Sequence, residues 1–454
     1  MDLEGKPVLV VGLARSGIAA ARFLAGRGST VVATDRKPQA ELPEEALKLA
    51  DIGVRLELGG HRAESFAGAG LVVVSPGVPW QTPELVAARA AGVPVIGELE
   101  LGVRHITGPV AAITGTKGKS TTTAALGAML REAGRDVRVG GNTGDAVTGL
   151  LAGATADTTF VLEVSSFQLE ATQTLHPRVA VFLNLSADHL DRHPSFEEYA
   201  AAKSRIFSNQ TEADFAVVNA DDPEVMARAR STRARRVRFG ASADAEAQFV
   251  GPEALLWMGG HEDALFHRAD LKVPGEHLAM DLLAAAVAAR LMGAPAKAIR
   301  RAVAAFQGVE HVLEKVAVVK GVAFYNDTKA TNVDAALKSI ESFAGPVLPI
   351  LGGRYKGGDI RALAPALARH GTAVLAIGEA RDRIADALSR TLPVAACASL
   401  PEAVAEAFRR AGPGDTVLLA PGCSSFDMFT DYAARGRAFK DEVRALAARE
   451  GGNG

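Results

Sequence analysis

Short, uninterrupted apolar runs recur along the chain, and most of them stop at a glycine or a tight polar cluster. Residues 8–11 lead into Gly12-Leu13-Ala14-Arg15-Ser16-Gly17, then a helical pattern over 18–25 and a second run at 30–34 that ends on Asp35. Residues 71–74 lead into Ser75-Pro76-Gly77-Val78-Pro79, which reads as a rigid turn. Continuous runs of this length mark strands covered on both faces, and their alternation with helices predicts parallel sheets. Residues 1–98 read as one such unit. A second, 99–308, has strands at 110–113, 159–164, 179–184 and 215–219, with helices such as 124–130 and 196–207. The third, 309–454, carries runs at 347–351, 373–377 and 416–420 that end at Gly352-Gly353, Gly378 and Pro421-Gly422. Strands that end in glycine turns place a site at the carboxyl edge of a sheet. The last four residues, Gly451-Gly452-Asn453-Gly454, read as a frayed tail.

Composition narrows the possibilities. The 454 residues are 48% hydrophobic and 22% charged, as in an ordinary globular protein of several domains. A net charge of −2 argues against a general polyanion binder, so no nucleic-acid partner is expected. The arginines between 228 and 238 read as a solvated face. Two cysteines, Cys397 and Cys423, are too few for a disulfide framework. The longest apolar helical stretch, 282–289, stops at Arg290, far short of a membrane span. No basic segment precedes the first apolar run, so no signal peptide is expected. These features together predict a cytoplasmic location.

The strongest chemical signal is Gly115-Thr116-Lys117-Gly118-Lys119-Ser120-Thr121, between the run 110–113 and the helical stretch 124–130. Strand, glycine loop, Lys-Ser and helix together cradle a nucleotide phosphate: backbone N–H groups approach the anion and the helix N-terminus adds partial positive charge. Lys119 supplies a point charge, and the Ser120 hydroxyl can ligate Mg²⁺. The loop is one glycine shorter than the usual pattern, with Ile113 where the first glycine would stand.

Other clusters are more ambiguous. The loop 12–17 resembles a dinucleotide fingerprint with Ala14 in place of the second glycine, and Asp35 suits a ribose hydroxyl. Glu163 ends a buried strand and suits Mg²⁺; the residues after it also read as a capping segment, with Ser165 or Ser166 as N-cap and Gln168 or Glu170 in the first turn. The loop Asn184-Leu185-Ser186-Ala187-Asp188-His189-Leu190-Asp191-Arg192-His193 packs acids and histidines densely enough to bind metal or substrate, though His193 precedes a proline and reads as structural. Lys203, four residues after Tyr199, reads as a solvent-exposed helix residue. The segment 326–332 reads as a polar turn. Arg354 and Lys356 in a glycine loop, and the segment 420–427, suit an anion.

The expected fold is therefore α/β with three domains: Rossmann-like at the N-terminus, a P-loop ATPase-type parallel sheet in the centre, and Rossmann-like again at the C-terminus. Taken together, Gly-Thr-Lys-Gly-Lys-Ser-Thr, Gly141-Asn142-Thr143-Gly144, Asp188-His189 and Asn326-Asp327-Thr328-Lys329-Ala330-Thr331-Asn332 resemble the Mur ligases, the ATP-dependent amino-acid ligases of peptidoglycan synthesis. Ser165-Ser166-Phe167-Gln168-Leu169-Glu170 and the Cys423 to Phe426 region resemble the branch that adds D-glutamate. The resemblance covers essentially the whole chain. Folylpolyglutamate synthases share the phosphate loop but lack the N-terminal domain and the Ser-Ser-Phe-Gln-Leu-Glu run.

The resemblance implies a set of roles. UDP-N-acetylmuramoyl-L-alanine would be held by Gly12, Ala14, Arg15, Ser16, Asp35, Arg36, Ser75, Pro76 and Gly77, with Asn142, Ser165 and Gln168 on the sugar side. This displaces the dinucleotide reading of loop 12–17. ATP would be bound by Gly115 to Thr121, with Asp327 at the ribose and Lys329 near the phosphates. Two Mg²⁺ ions would be held by Ser120, Glu163, His189 and Lys203, the lysine carbamylated by CO₂; Lys119, Glu163, His189 and Lys203 would be the catalytic set. Thr331, Lys356, Ser425, Phe426 and Tyr432 would form the D-glutamate pocket of a monomeric enzyme.

Four positions depart from the family pattern. Leu278 and Asp281 stand where asparagines are usual, Val312 replaces an arginine that reaches ATP, and Glu310 replaces a proline. All touch ATP, and Arg354 is a candidate to compensate. Alternatives are a sister ligase that adds another amino acid and a non-catalytic sugar-nucleotide-binding relative.

Overall fold

A computed structural model describes residues 3–189 and 192–451. Leu190, Asp191 and the tail residues 452–454 lie outside the described residues, so the expectations that fall on them have no structural counterpart.

Three sheets organise the chain. The first is five-stranded and wholly parallel, in the order Arg55–Leu58, Thr30–Asp35, Pro7–Val11, Leu71–Val74, Val95–Gly97. The chain leaves its middle strand first to one side and then to the other. Loops 12–17 and 75–77 therefore emerge side by side at the carboxyl edge, at a topological switch point. Both faces are apolar: Val8, Val10 and Val73 pack into one cluster, Leu9, Val11 and Val72 into another.

The second sheet has nine strands, ordered His261–His267, Glu253–Met258, Ala247–Val250, Arg235–Phe239, Phe215–Asn219, Val179–Phe182, Val110–Thr114, Thr159–Glu163, Val137–Gly141. Its parallel part follows the expected alternation. The antiparallel extension from 247 to 267 does not, and the sequence reading missed it. Val110–Thr114 lies between Val179–Phe182 and Thr159–Glu163. The loops after these strands and after Val137–Gly141 all emerge at one edge. Phe160, Phe182 and Leu162 are fully buried beneath them.

The helix after the phosphate loop starts earlier than its apolar pattern predicts. It spans Lys119–Glu132, not 124–130, with left-handed Gly118 as its N-cap. Thr121, Thr122 and Thr123 were not counted because they are polar, yet all three are buried in its first turns.

The third sheet is ordered Glu314–Val319, Val322–Asn326, Thr416–Leu419, Val347–Gly352, Val374–Ile377, Val394–Ala396, parallel except for its first pair. Three adjacent strands, Val322–Asn326, Thr416–Leu419 and Val347–Gly352, deliver loops 327–332, 420–427 and 353–359 to one edge. By compactness the chain forms two units, Met1–Asp270 with Asp281–Val303, and Leu271–Met280 with Ala304–Gly454. The first two sheets belong to the former and the third to the latter.

Candidate active site

The phosphate loop is held by residues at the start of the 184–193 loop and by Tyr199. Asn184, at the end of a neighbouring strand, accepts a hydrogen bond from Lys117 N–H (2.8 Å), donates to the Lys117 carbonyl (3.1 Å), and takes Thr116 N–H on its own carbonyl (2.9 Å). The Thr116 hydroxyl accepts Ser186 N–H (3.0 Å) and lies 3.1 Å from the Tyr199 hydroxyl. Gly118 has φ of 83°, a left-handed conformation that favours glycine. The loop is thus fixed on both sides before any ligand arrives.

Lys119 donates from Nζ to the carbonyls of Gly115 and Thr116, each at 2.9 Å. Lys203 donates to the same Gly115 carbonyl at 2.7 Å. This corrects the expectation of a solvent-exposed Lys203. Only 2% of the residue is accessible, and its Nζ lies 4.9 Å from the Tyr199 ring centroid. Periodicity could not reveal this, because helix Phe196–Ser204 buries its lysine face against the loop. Burial, and secondarily the charge of Lys119, pull the Lys203 amine down to about 6, so near neutral pH it is largely the uncharged nucleophilic form.

Glu163 is buried at the end of its strand. Its Oε1 accepts hydrogen bonds from Asn142 Nδ2 (2.8 Å) and the Thr143 hydroxyl (2.9 Å). Its Oε2 is buried with no hydrogen-bond partner among the described residues. A buried carboxylate oxygen without a donor is costly unless something else satisfies it, and a cation does so. Asn142, expected on the sugar side, is therefore also a positioning contact for Glu163. Thr143 belongs to the quoted Gly-Asn-Thr-Gly motif, but the sequence reading assigned its hydroxyl no role.

Downstream, the capping reading of the 163–170 segment holds: Ser165 caps helix Ser166–Glu170, and Gln168 completes a capping box. His193 is buried with Nε2 2.9 Å from the Ser166 hydroxyl, the structural role expected of it. His189 is exposed, has φ of 53°, and places its ring 5.0 Å from that of Phe167. A positive φ in a non-glycine residue is uncommon and fits a residue held for a purpose.

In the first sheet, Leu13 N–H donates to Asp35 Oδ2 (2.7 Å) and the Ser75 hydroxyl donates to the Gly12 carbonyl (2.8 Å). Asp35 and Ser75 thus shape loop 12–17. A Cβ on Gly17 would fall 1.8 Å from the Gly12 carbonyl oxygen, so glycine is obligatory there. Ala14 is the helix N-cap, and exposed Arg15 donates to the Asn142 carbonyl (2.8 Å). Arg36 and Gly77 are exposed and Ser16 is half-buried. Ser75, Pro76 and Gln168 line one small cavity, which brings two of the expected sugar-nucleotide segments together.

The remaining candidates lie in the other compact unit. Asp327 is buried and accepts hydrogen bonds from the Ser339 hydroxyl and Leu313 N–H; burial raises its carboxyl to about 6. Thr331 and Lys329 are half-buried beside it in the same loop. Ser425 is buried, whereas Lys356, Phe426 and Tyr432 are exposed at the same sheet edge. Arg354 pairs with Glu379 (3.2 Å) at the surface. Glu310, His311 and Glu314 cluster, but Lys440 already places its ammonium 2.8 Å from Glu310 and 2.7 Å from Glu314. That ion pair accounts for the glutamate at position 310 without a metal.

Beneath these loops Arg435 is almost wholly buried. Its guanidinium donates to the Thr328 hydroxyl and carbonyl and to the carbonyls of Gly352, Cys423 and Ser424, at 2.9–3.3 Å. Burial lowers it to about 10, which still leaves it charged. The sequence reading gave it no role.

Comparisons with known proteins agree along the chain. Residues 6–97 match the "Mur ligase MurD-like, N-terminal domain" model, 113–289 the "Mur ligase middle domain", and 311–423 the "Mur ligase, glutamate ligase domain". A UDP-N-acetylmuramoylalanine–D-glutamate ligase of Acidobacterium capsulatum is 47% identical over 98% of this chain and 97% of its own length. One from Koribacter versatilis is 43% identical over 99% of this chain and all of its own. Among solved structures, the UDP-N-acetylmuramate-alanine ligase of Thermotoga maritima covers 97% of this chain and 100% of its own, with a TM-score of 0.62 at 20% identity, a likeness of fold. With all three domain models matched in order and relatives this similar over nearly full length, the chain belongs to the Mur ligase family.

Proposed function

We propose that this protein is an ATP-dependent ligase that joins D-glutamate to UDP-N-acetylmuramoyl-L-alanine. The observation that carries the reading is the constellation at the phosphate loop. Lys119 and Lys203 converge on the Gly115 carbonyl, and Glu163, in register with Ile113 on the adjoining strand, is buried with one carboxylate oxygen unsatisfied. The naming of relatives that match over nearly the whole chain supports the substrate assignment.

The domains divide at residues 98 and 308. Loop 12–17, Asp35, Arg36 and turn 75–77 take the uridine diphosphate, and Asn142, Ser165 and Gln168 the sugar side. Asp327 is assigned to the ATP ribose and Lys329 to its phosphates, and Thr331, Lys356, Ser425, Phe426 and Tyr432 take D-glutamate. The protein acts as a monomer in the cytoplasm.

The unsatisfied Glu163 oxygen and the hydroxyl of Ser120 suit a hard cation, so Mg²⁺ fits here. Glu163, Ser120, His189 and a carbamylated Lys203 would hold it, in up to two ions. When bound it neutralises phosphate charge. The uncharged Lys203 amine is the form that adds to CO₂: an N–C bond forms, a proton leaves to solvent, and a neutral amine becomes an anionic oxygen ligand. Asn142 and Thr143 keep Glu163 in one orientation throughout.

The chemistry brings two anions together. The alanyl carboxylate attacks the γ-phosphorus of ATP and ADP departs, leaving an acyl phosphate. Lys119 offsets the accumulated negative charge. The D-glutamate amine then adds to the carbonyl carbon, a tetrahedral intermediate collapses, phosphate leaves and the amine proton is lost. Water competes with the amine for the acyl phosphate, so the site must be dry at that moment.

The test is phosphate release with ATP, Mg²⁺ and UDP-N-acetylmuramoyl-L-alanine, comparing D-glutamate, L-glutamate and no amino acid. Release with D-glutamate alone and a product heavier by one glutamyl residue is expected. Binding of the sugar nucleotide without turnover would favour the non-catalytic alternative raised by Leu278 and Val312.

A further inference from the structure

One contact at the phosphate loop has no place in the scheme above. Asp281 sits on helix Glu276–Leu291 and is buried, and its carboxylate packs directly on Gly118. A Cβ built on Gly118 would lie 2.2 Å from Asp281 Oδ1 and 2.8 Å from Oδ2. The backbone is tied there as well, since the Thr122 hydroxyl donates to the Asp281 carbonyl at 3.4 Å. Gly118 is the N-cap of helix Lys119–Glu132, so the positive end of the helix dipole falls there. An acidic side chain therefore shares the region of the loop that is best suited to a phosphate.

We propose that Asp281 acts as an electrostatic brake on the nucleotide site. Its carboxylate competes with the incoming polyphosphate for the field of the helix N-terminus and repels it at short range. The protein consequently binds nucleotide more weakly than its loop donors alone would allow, by an amount that grows with phosphate charge. The proposal rests on the reading of loop 115–121 as the nucleotide site. Asp281 does not touch the reacting atoms; it sets affinity and selects against highly charged ligands. Like charges a few ångströms apart at a partly buried site differ by roughly tenfold or more in binding.

Asp281→Asn keeps the shape of the side chain and removes the charge. Calorimetric titration of the full-length wild type, Asp281→Asn and Lys119→Ala with AMP, ADP and ATP, with and without Mg²⁺, tests the idea. The expected result is tighter binding by Asp281→Asn, on the order of tenfold for ATP, less for ADP and least for AMP. The gain should shrink as salt is raised. A purely structural role would not order the three nucleotides by charge. Unchanged or weaker binding by Asp281→Asn, with Lys119→Ala weakened as expected, overturns the brake and leaves the loop assignment standing. Weakening seen only with Mg²⁺ also overturns it, because the carboxylate would then serve the cation. If Lys119→Ala binds ATP as well as wild type does, the loop assignment fails and the brake fails with it.

Discussion

At the scale of single residues, the site is made by side chains whose second partner is as informative as the first. Glu163 is useful because Asn142 and Thr143 hold one of its oxygens and leave the other bare. Removing such a supporting contact to a candidate metal ligand costs roughly 10- to 100-fold. Asn142→Ala should lower kcat by that order and raise the Mg²⁺ concentration needed for half-maximal rate, with the circular-dichroism melting curve little changed. An unaltered Mg²⁺ requirement would count against the positioning role. Asp327 makes a pH prediction. Its carboxyl is raised to about 6 in the folded protein, above its usual 3.8. Between those values the folded state keeps a proton that the unfolded chain has lost. The stabilisation is complete below the lower value and disappears as pH rises through the upper one. Asp327→Asn lacks this dependence, so its urea midpoint should gain on wild type between about pH 4 and pH 7; parallel pH profiles would refute it.

At the scale of elements, what the sequence made legible was the class of each strand and the loop that follows it. The candidate loops 12–17, 115–118, 163–168, 326–332 and 420–427 follow strands expected from continuous apolar runs, and all lie at carboxyl edges. Two things were missed. The antiparallel strands 247–267 alternate weakly, so period alone does not find them, although Gly259-Gly260, both at positive φ between the paired Met258 and His261, is a two-residue hairpin signature. The burial of Lys203 depends on what its helix packs against, which sequence spacing cannot express. Tight backbone approaches between elements make firm predictions. Gly17→Ala would push a methyl group to 1.8 Å from the Gly12 carbonyl oxygen. Helix Arg15–Ala25 would have to move off its strand, at a cost of about 3 kcal/mol or more. Urea denaturation should report the loss, and a cost under about 1 kcal/mol would mean the helix can shift freely.

At the scale of the whole molecule, the partition into two compact units implies more than one cooperative transition, because each unit has its own core. Scanning calorimetry should give a total enthalpy larger than the van't Hoff value. If loop 115–121 binds nucleotide, saturating ADP should raise the transition of the unit that contains it and move the other less. A single two-state transition that shifts as a whole would contradict this. Among the described residues no helix is long and apolar enough to cross a membrane.

The buried Arg435 has a consequence for how this part of the chain can diverge. Its five contacts tie loops from three neighbouring strands to one rigid plane. Lengthening or shortening any of these loops would strand a guanidinium N–H in the interior, which is costly, and lysine cannot reproduce the fork. The loops therefore form a fixed frame with interchangeable tips. A change in the ligand accepted there should arise by replacing outward side chains such as Lys356, Phe426 or Tyr432, while insertions and deletions accumulate elsewhere.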